Sequence, residues 1–340
     1  MRHHRTRPTL VAAVLAGVLV ASTGCSGSGA ADNALVLYNA QNSRLMESLV
    51  QEFTAESGIA VTMRNGGDSE LGSQLVKEGG KSPADVFTTE NATAMALVER
   101  AGLFAPLKPE ALEGVPKQFV PDDQTWVGVA ARSTVLVFDP KQVAEPALPA
   151  ALLDLAKPEW KGRFAYAPTG ADFQAITAAV YALKGDQVGD RFVQGLQANG
   201  VKYANNIAIL KAVNAGEIPA GITYHYYWFQ DRAGTGQDSD RAQLHYFGQG
   251  DPGAFLSIGG AGVLTSSKRA AQAQQLVAFL ASRKGQEVLA KSNDLQYAIN
   301  HDVASNPALR PLSTLRPPTV SLSQLDGPKV LAAFRRVGIL

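Results

Sequence analysis

Trp126-Val127-Gly128-Val129-Ala130-Ala131-Arg132-Ser133-Thr134-Val135-Leu136-Val137-Phe138 is an unbroken β-prone run. Strands average about five to six residues, so this run predicts a strand that passes from one lobe into another. On its N-terminal side short strands alternate with helices. Leu35 to Tyr38 reads as a strand, and Leu45, Met46, Leu49, Val50 and Phe53 form a helical stripe closed by Gly58. Ile59 to Met63 and Asp85 to Phe87 read as strands, with helices marked by Leu71, Leu75 and Val76 and by Ala94, Leu97 and Val98. Beyond the long run a second alternating block follows. It contains strands at Phe164 to Tyr166, near Val201 and at Pro219 to Thr223, and helical stripes through Phe173, Ile176, Val180 and Leu183, through Val188, Phe192 and Leu196, and through Ile207, Leu210 and Val213. Phe255 to Leu264 returns the chain, helices follow at Ala270 to Ser282 and Pro328 to Val337, and a proline-rich stretch, Pro307 to Pro318, lies between them. The expected architecture is an α/β protein of two lobes: two open α/β sheets joined by hinge β connections, with a cleft at the carboxyl ends of the strands. Residues 34–131 plus 258–307 are expected to form the N-lobe, and 132–257 plus 308–340 the C-lobe.

The first seven residues carry three arginines and no acid, and Leu10 to Ala21 is apolar but short for a membrane span. Residues 1–24 read as a secretion signal. Ser22-Thr23-Gly24-Cys25 resembles a bacterial lipoprotein cleavage box, with Ser22 where leucine is usual. Cys25 is the only cysteine, which excludes intramolecular disulfides, zinc-thiolate clusters and a cysteine nucleophile in the folded part; it reads as a lipid anchor followed by a tether, 25–33. Removing residues 1–24 takes three arginines and no acid from 31 basic and 30 acidic residues, leaving a formal charge of about −2, which argues against a nucleic-acid partner.

No Gly-x-Ser-x-Gly, phosphate-loop or His-Glu-x-x-His motif occurs, and His225, His245 and His301 are the only histidines beyond the signal. The segment with chemistry is Gly221-Ile222-Thr223-Tyr224-His225-Tyr226-Tyr227-Trp228-Phe229. Adjacent phenols are hard oxygen ligands for a trivalent cation, which stabilises the phenolate and expels the proton. The competing reading is packing at a cleft lip. Two consecutive side chains reach one metal only at a strand end or a first helical turn, and Pro219 to Thr223 supplies such an end. Thr169, Gly170 and Ala171 precede a helix, whose N-terminal N–H groups suit an anion; for Thr169 the plainer reading is a helix N-cap.

The chain resembles the periplasmic ferric-ion-binding proteins of bacterial iron importers. Leu37-Tyr38-Asn39-Ala40-Gln41, Ser69 to Leu75, Ser82 to Glu90 with its Pro83-Ala84-Asp85-Val86-Phe87, Pro168 to Gln174, Asn205-Asn206 and Tyr226 to Phe229 carry the resemblance. It implies the two-lobed periplasmic-binding-protein (Venus flytrap) fold and no enzymatic reaction. It also implies Fe(III) as transported ligand, held by Tyr226, Tyr227 and Glu90 with the lobes closed. A synergistic anion, phosphate or carbonate, is implied at Thr169, Gly170 and Ala171 with help from Asn206. The implied partners are an ABC permease and its ATPase, the location is outside the cytoplasmic membrane, and a monomer is expected. The family's histidine ligand falls at Asn42, which offers only an amide oxygen. Water, a second anion oxygen or Tyr224 remain open as its replacement, while Arg132 and Tyr297 read as structural. Two other readings stand beside this one: a clamp of the same fold for a phosphonate or small carboxylate, and, with less support, a hydrolase using Glu90 or Asp85 as base.

Overall fold

The computed structural model describes residues 33–340; the secretion signal, Cys25 and nearly all of the tether lie outside the described residues. In the first wing, β1 (Leu35–Asn39), β2 (Val61–Asn65) and β3 (Val86–Thr88) alternate with α1 (Ser43–Ser57), α2 (Asp68–Glu78) and α3 (Ala92–Arg100). Strand β1 pairs in parallel with both β2 and β3. Gly58 ends α1 at φ +71°, donating its N–H to Thr54 O at 2.9 Å. The next strand starts at Val61 rather than Ile59, because the Ile59 carbonyl is taken by the Thr54 hydroxyl at 3.0 Å.

The long run is one strand, β4 (Trp126–Phe138), buried along its whole length. In the second wing, β5 (Phe164–Tyr166), α4 (Ala171–Lys184), α5 (Asp186–Asn199), β6 (Val201–Lys202), α6 (Asn206–Ala215) and β7 (Ala220–Tyr224) lead into α7 (His225–Ala233) and β8 (Gln243–His245), after which β9 (Leu256–Val263) returns the chain to β3 of the first wing. Strand β4 pairs with β9 from Trp126 to Ser133, with an irregularity between Gly128 and Ala130, and then with β7 from Thr134 to Phe138. It therefore belongs to both wings. The strand order β2-β1-β3-β9-β4-β7-β5-β6 is a path of eight strands, and β8, paired beside β4 off that path, makes the sheet nine-stranded. The two expected sheets are joined, as expected of a hinge connection, through β4, which pairs with β9 on one side and β7 on the other. Helices α8 (Ala270–Ala281), α9 (Arg283–Lys291) and α10 (Gly327–Arg336) close the chain, and Phe334 of α10 stacks on Phe173 of α4 at 6.1 Å between ring centroids. Among the described residues no helix is long and apolar enough to cross a membrane.

Three departures from the sequence reading have local causes. Ile207 is 53% exposed, and Ile209 takes the buried position on α6. Strand β8 has three residues, and α9 (RKGQEVLAK) has little apolar stripe to announce it. Where β9 crosses toward the site, a Cβ on Gly259 would lie 2.6 Å from the Thr89 carbonyl and 3.3 Å from that of Glu90. Gly259→Ala is expected to lower stability by about 1–3 kcal/mol through overpacking against backbone. Urea denaturation checks it.

Candidate metal centre

Strand β7 ends where its side chains enter the space between the wings. Tyr224 keeps extended backbone (φ −98°, ψ 151°) as the N-cap of α7, so Tyr226 and Tyr227 fall on the first helical turn. Their ring centroids are 4.1 Å apart, with planes 30° apart. His225 turns the other way. Its Nδ1 accepts the Ser133 N–H at 3.1 Å, and its ring stacks on Tyr297 at 4.6 Å. Burial lowers its pKa to about 3, so the imidazole is neutral and structural.

Glu90 follows β3 in the first wing. Its N–H donates to Asp68 Oδ1 at 2.9 Å, and its carboxylate lies 3.8 Å from Nη2 of Arg132. Arg132, on the crossing strand, is fully buried; it donates to Gln41 Oε1 at 2.9 Å and to the Glu90 carbonyl, and its guanidinium lies 5.8 Å from the Tyr226 ring centroid. One cation thus joins the first wing's carboxylate to the second wing's phenol.

Asp172, in the first turn of α4, is the third acid of the group and is 6% exposed. Its Oδ2 accepts from the Tyr227 hydroxyl at 2.8 Å and from Asn206 Nδ2 at 2.8 Å, while Oδ1 accepts from Asn91 Nδ2 at 3.1 Å. Asn91 also donates to Asp68 Oδ2 at 2.8 Å. The Asn91 amide therefore links acids from both wings.

Glu90, Tyr226 and Tyr227 come together, but other expected residues are engaged elsewhere. Asn42 is the N-cap of α1; its Oδ1 accepts from the N–H groups of Arg44 and Leu45 at 3.0 and 3.2 Å, which makes it a helix cap. Tyr224 is fully buried, its hydroxyl donating its one proton between the Asp172 carbonyl at 3.1 Å and Asn91 Oδ1 at 3.3 Å. Gly170 rather than Thr169 is the N-cap of α4, with Ala171 the first helical residue; the Thr169 hydroxyl points to the Ala204 carbonyl at 3.4 Å. Asn206 serves Asp172. Asp172 and the bridging place of Arg132 carry no signal in the sequence: an acid in a first helical turn reads as a complement to the helix dipole, and a lone arginine in a strand names no partner.

Burial, reinforced by the charge on Asp172, raises the Tyr226 and Tyr227 pKa values well above 10. Burial also raises Glu90 to about 7, partly offset by Arg132, and Asp68 to about 6. Acids and phenols are thus crowded around a single buried cation, an arrangement that a multivalent cation would stabilise. Among the described residues no three histidine, cysteine, aspartate or glutamate side chains are placed to hold a metal, so any metal here depends on the phenols.

Two α/β wings, a shared crossing strand and a polar cluster between them define a clamp-type binding protein. The chain belongs to the bacterial extracellular solute-binding protein family, whose model matches residues 81–318. It is 48% identical to the Fe(3+)-binding periplasmic protein of Serratia marcescens over 96% of this chain and 97% of that one. It is 35% identical to the major ferric iron-binding protein of Neisseria meningitidis, with 92% and 93% covered. The structure of iron-bound HitA from Pseudomonas aeruginosa superposes with a TM-score of 0.82 at 38% identity, covering 90% of this chain and 99% of that one.

Proposed function

We propose that this protein captures Fe(III) between its wings and delivers it to an ABC permease and its ATPase, without catalysing a reaction. The observation that carries the reading is the pair Tyr226–Tyr227 beside Asp172 of its own wing and facing Glu90 of the other, with Arg132 between the Tyr226 ring and Glu90. Relatives of similar length are iron-binding proteins by name. The wings correspond to residues 34–131 plus 258–307 and 132–257 plus 308–340, and Cys25 tethers the domain to the outer face of the cytoplasmic membrane as a monomer.

Tyr226 and Tyr227 ligate as phenolates, and Glu90 as a carboxylate from the opposite wing. Asp172 supplies a fourth oxygen where an exogenous phosphate or carbonate was expected, at the α4 N-terminus formed by Thr169, Gly170 and Ala171. Two features support this: its carboxylate already bonds Tyr227, and it occupies the Asn206 amide. Arg132 limits the negative charge left when the ion departs.

The sign of the pH dependence follows from the raised pKa values. Both phenols are protonated in the empty site at neutral pH, and each must lose its proton to bind, so affinity rises with pH and falls in acid. Below the Glu90 value of about 7 a further proton must leave. Calorimetry in buffers of different ionisation enthalpy, corrected for the chelator, is expected to show about two protons released per ferric ion at pH 8 and a number moving toward three at pH 6. Release of none at pH 8 would exclude phenolate ligation.

A further inference from the structure

Asn91 follows Glu90 directly, stands as the N-cap of α3, and is fully buried where the wings meet. An asparagine at that position ordinarily turns its side-chain oxygen to the first N–H groups of its helix. This one makes no such bond to α3. The amide instead uses its whole capacity, two donors and two acceptor sites, on other elements. Its Nδ2 donates to Asp68 Oδ2 at 2.8 Å and to Asp172 Oδ1 at 3.1 Å, and its Oδ1 accepts from the Ser257 hydroxyl at 2.6 Å and from the Tyr224 hydroxyl at 3.3 Å.

These partners come from both wings and from the strand pair that joins them. Asp68 lies in the first wing with Asn91, Asp172 and Tyr224 lie in the second, and Ser257 sits on β9 opposite Arg132 of the crossing strand. The amide behind Glu90 thus fixes which way the Asp172 carboxylate faces: Oδ1 is held by Asn91, and Oδ2 is left to Tyr227. Parting the wings would break the bonds to Asp172 and Tyr224 together. The side chain must be an amide to do this. Two carboxylates meet on its one nitrogen, so an aspartate would set three acids side by side with no donor among them. An alanine would leave Asp68 and Asp172 with nothing between them and the buried Ser257 hydroxyl without its acceptor.

We infer that Asn91 couples closure of the wings to completion of the ferric site: as the first wing brings Glu90 to the metal, the amide behind it takes Asp172 Oδ1 and sets Oδ2 toward the metal and Tyr227. Asn91 is a positioning residue that acts through Asp172, and the inference rests on the ligand set proposed above. Its signature is in release, because this latch must open before the wings part. The test loads the full chain with iron in phosphate-free buffer and follows loss of the visible band to excess chelator, for the wild type, Asn91→Ala, Asp172→Ala and the double variant.

Asn91→Ala is expected to release iron about 10- to 100-fold faster, the range for loss of an outer-sphere partner. Asn91→Gln, which keeps the amide, is expected to fall between it and the wild type. In the Asp172→Ala background, adding Asn91→Ala is expected to change release by no more than about twofold, because the carboxylate it acts through is gone. An asparagine that only supports the fold would lower the melting temperature and leave release unchanged, or speed release equally in both backgrounds. Either result would overturn the inference while the band, and with it the iron reading, stands; a wild type that forms no band would remove the iron reading and the inference with it. Should Asn91→Ala fail to fold, Asn91→Ser, which keeps one donor, takes its place in the same cycle.

Discussion

Tyr226→Phe and Tyr227→Phe are each expected to weaken ferric binding by at least about a hundredfold, since loss of an outer-sphere partner alone costs about 10- to 100-fold and these are the proposed direct ligands. The two variants should differ in their iron-free form. Tyr226→Phe keeps the ring beneath Arg132 and loses only its oxygen. Tyr227→Phe also removes the donor to Asp172, leaving that carboxylate with Asn206 and Asn91. A buried acceptor deprived of a charge-assisted partner costs about 1–3 kcal/mol, so Tyr227→Phe should lower the melting temperature more than Tyr226→Phe. Each single variant should retain a weaker, shifted phenolate-to-iron band, and the double variant none. Competition against a ferric chelator, read in the visible, gives affinity and colour together.

Asp172→Asn is expected to convert iron binding from anion-independent to anion-dependent. The carboxylate lies in the first turn of α4 and takes the Asn206 amide, and on the proposed ligand set it fills the place an exogenous anion would use. Neutralising it removes a ligand charge but leaves the helix N-terminal N–H groups and Asn206 available to phosphate. In anion-free buffer, affinity should fall by about ten- to a hundredfold, the equivalent of one charge-assisted contact of about 1.5–3 kcal/mol. Millimolar phosphate should restore much of it. The opposite pattern, a wild type that binds iron only with phosphate or carbonate present, would mean that an exogenous anion, and not Asp172, completes the ligand set.

The fold is legible in the sequence because its decisive element is a run of thirteen β-prone residues, too long for one lobe and bounded by two alternating blocks. The elements that stay hidden are those whose formation depends on neighbours: β8 exists by pairing with the end of β4, and α9 follows α8 after the Ser282 cap. In the centre, Tyr226 and Tyr227 stand out because two adjacent phenols at a strand end bring two hard oxygens to one point. Asn42 is ambiguous because a position before a helix serves equally as a ligand or a cap, and only the direction of its Oδ1 separates the two. Asp172 is concealed for a related reason. Acids are common in first helical turns, and nothing local shows that this one turns inward to Tyr227 rather than outward to water. Contacts between wings, such as Asn91 with Asp172, join residues 81 positions apart, a separation that no local pattern encodes.

Capture of ferric iron by the phenol pair is decided by the metal content and visible spectrum of the protein purified from its native envelope. One iron per chain is expected, with a phenolate-to-iron charge-transfer band that disappears on acidification or reduction and returns with ferric chelate. A protein that is iron-free and colourless as isolated, and that stays colourless with no heat of binding when titrated with ferric chelate, would refute ferric capture.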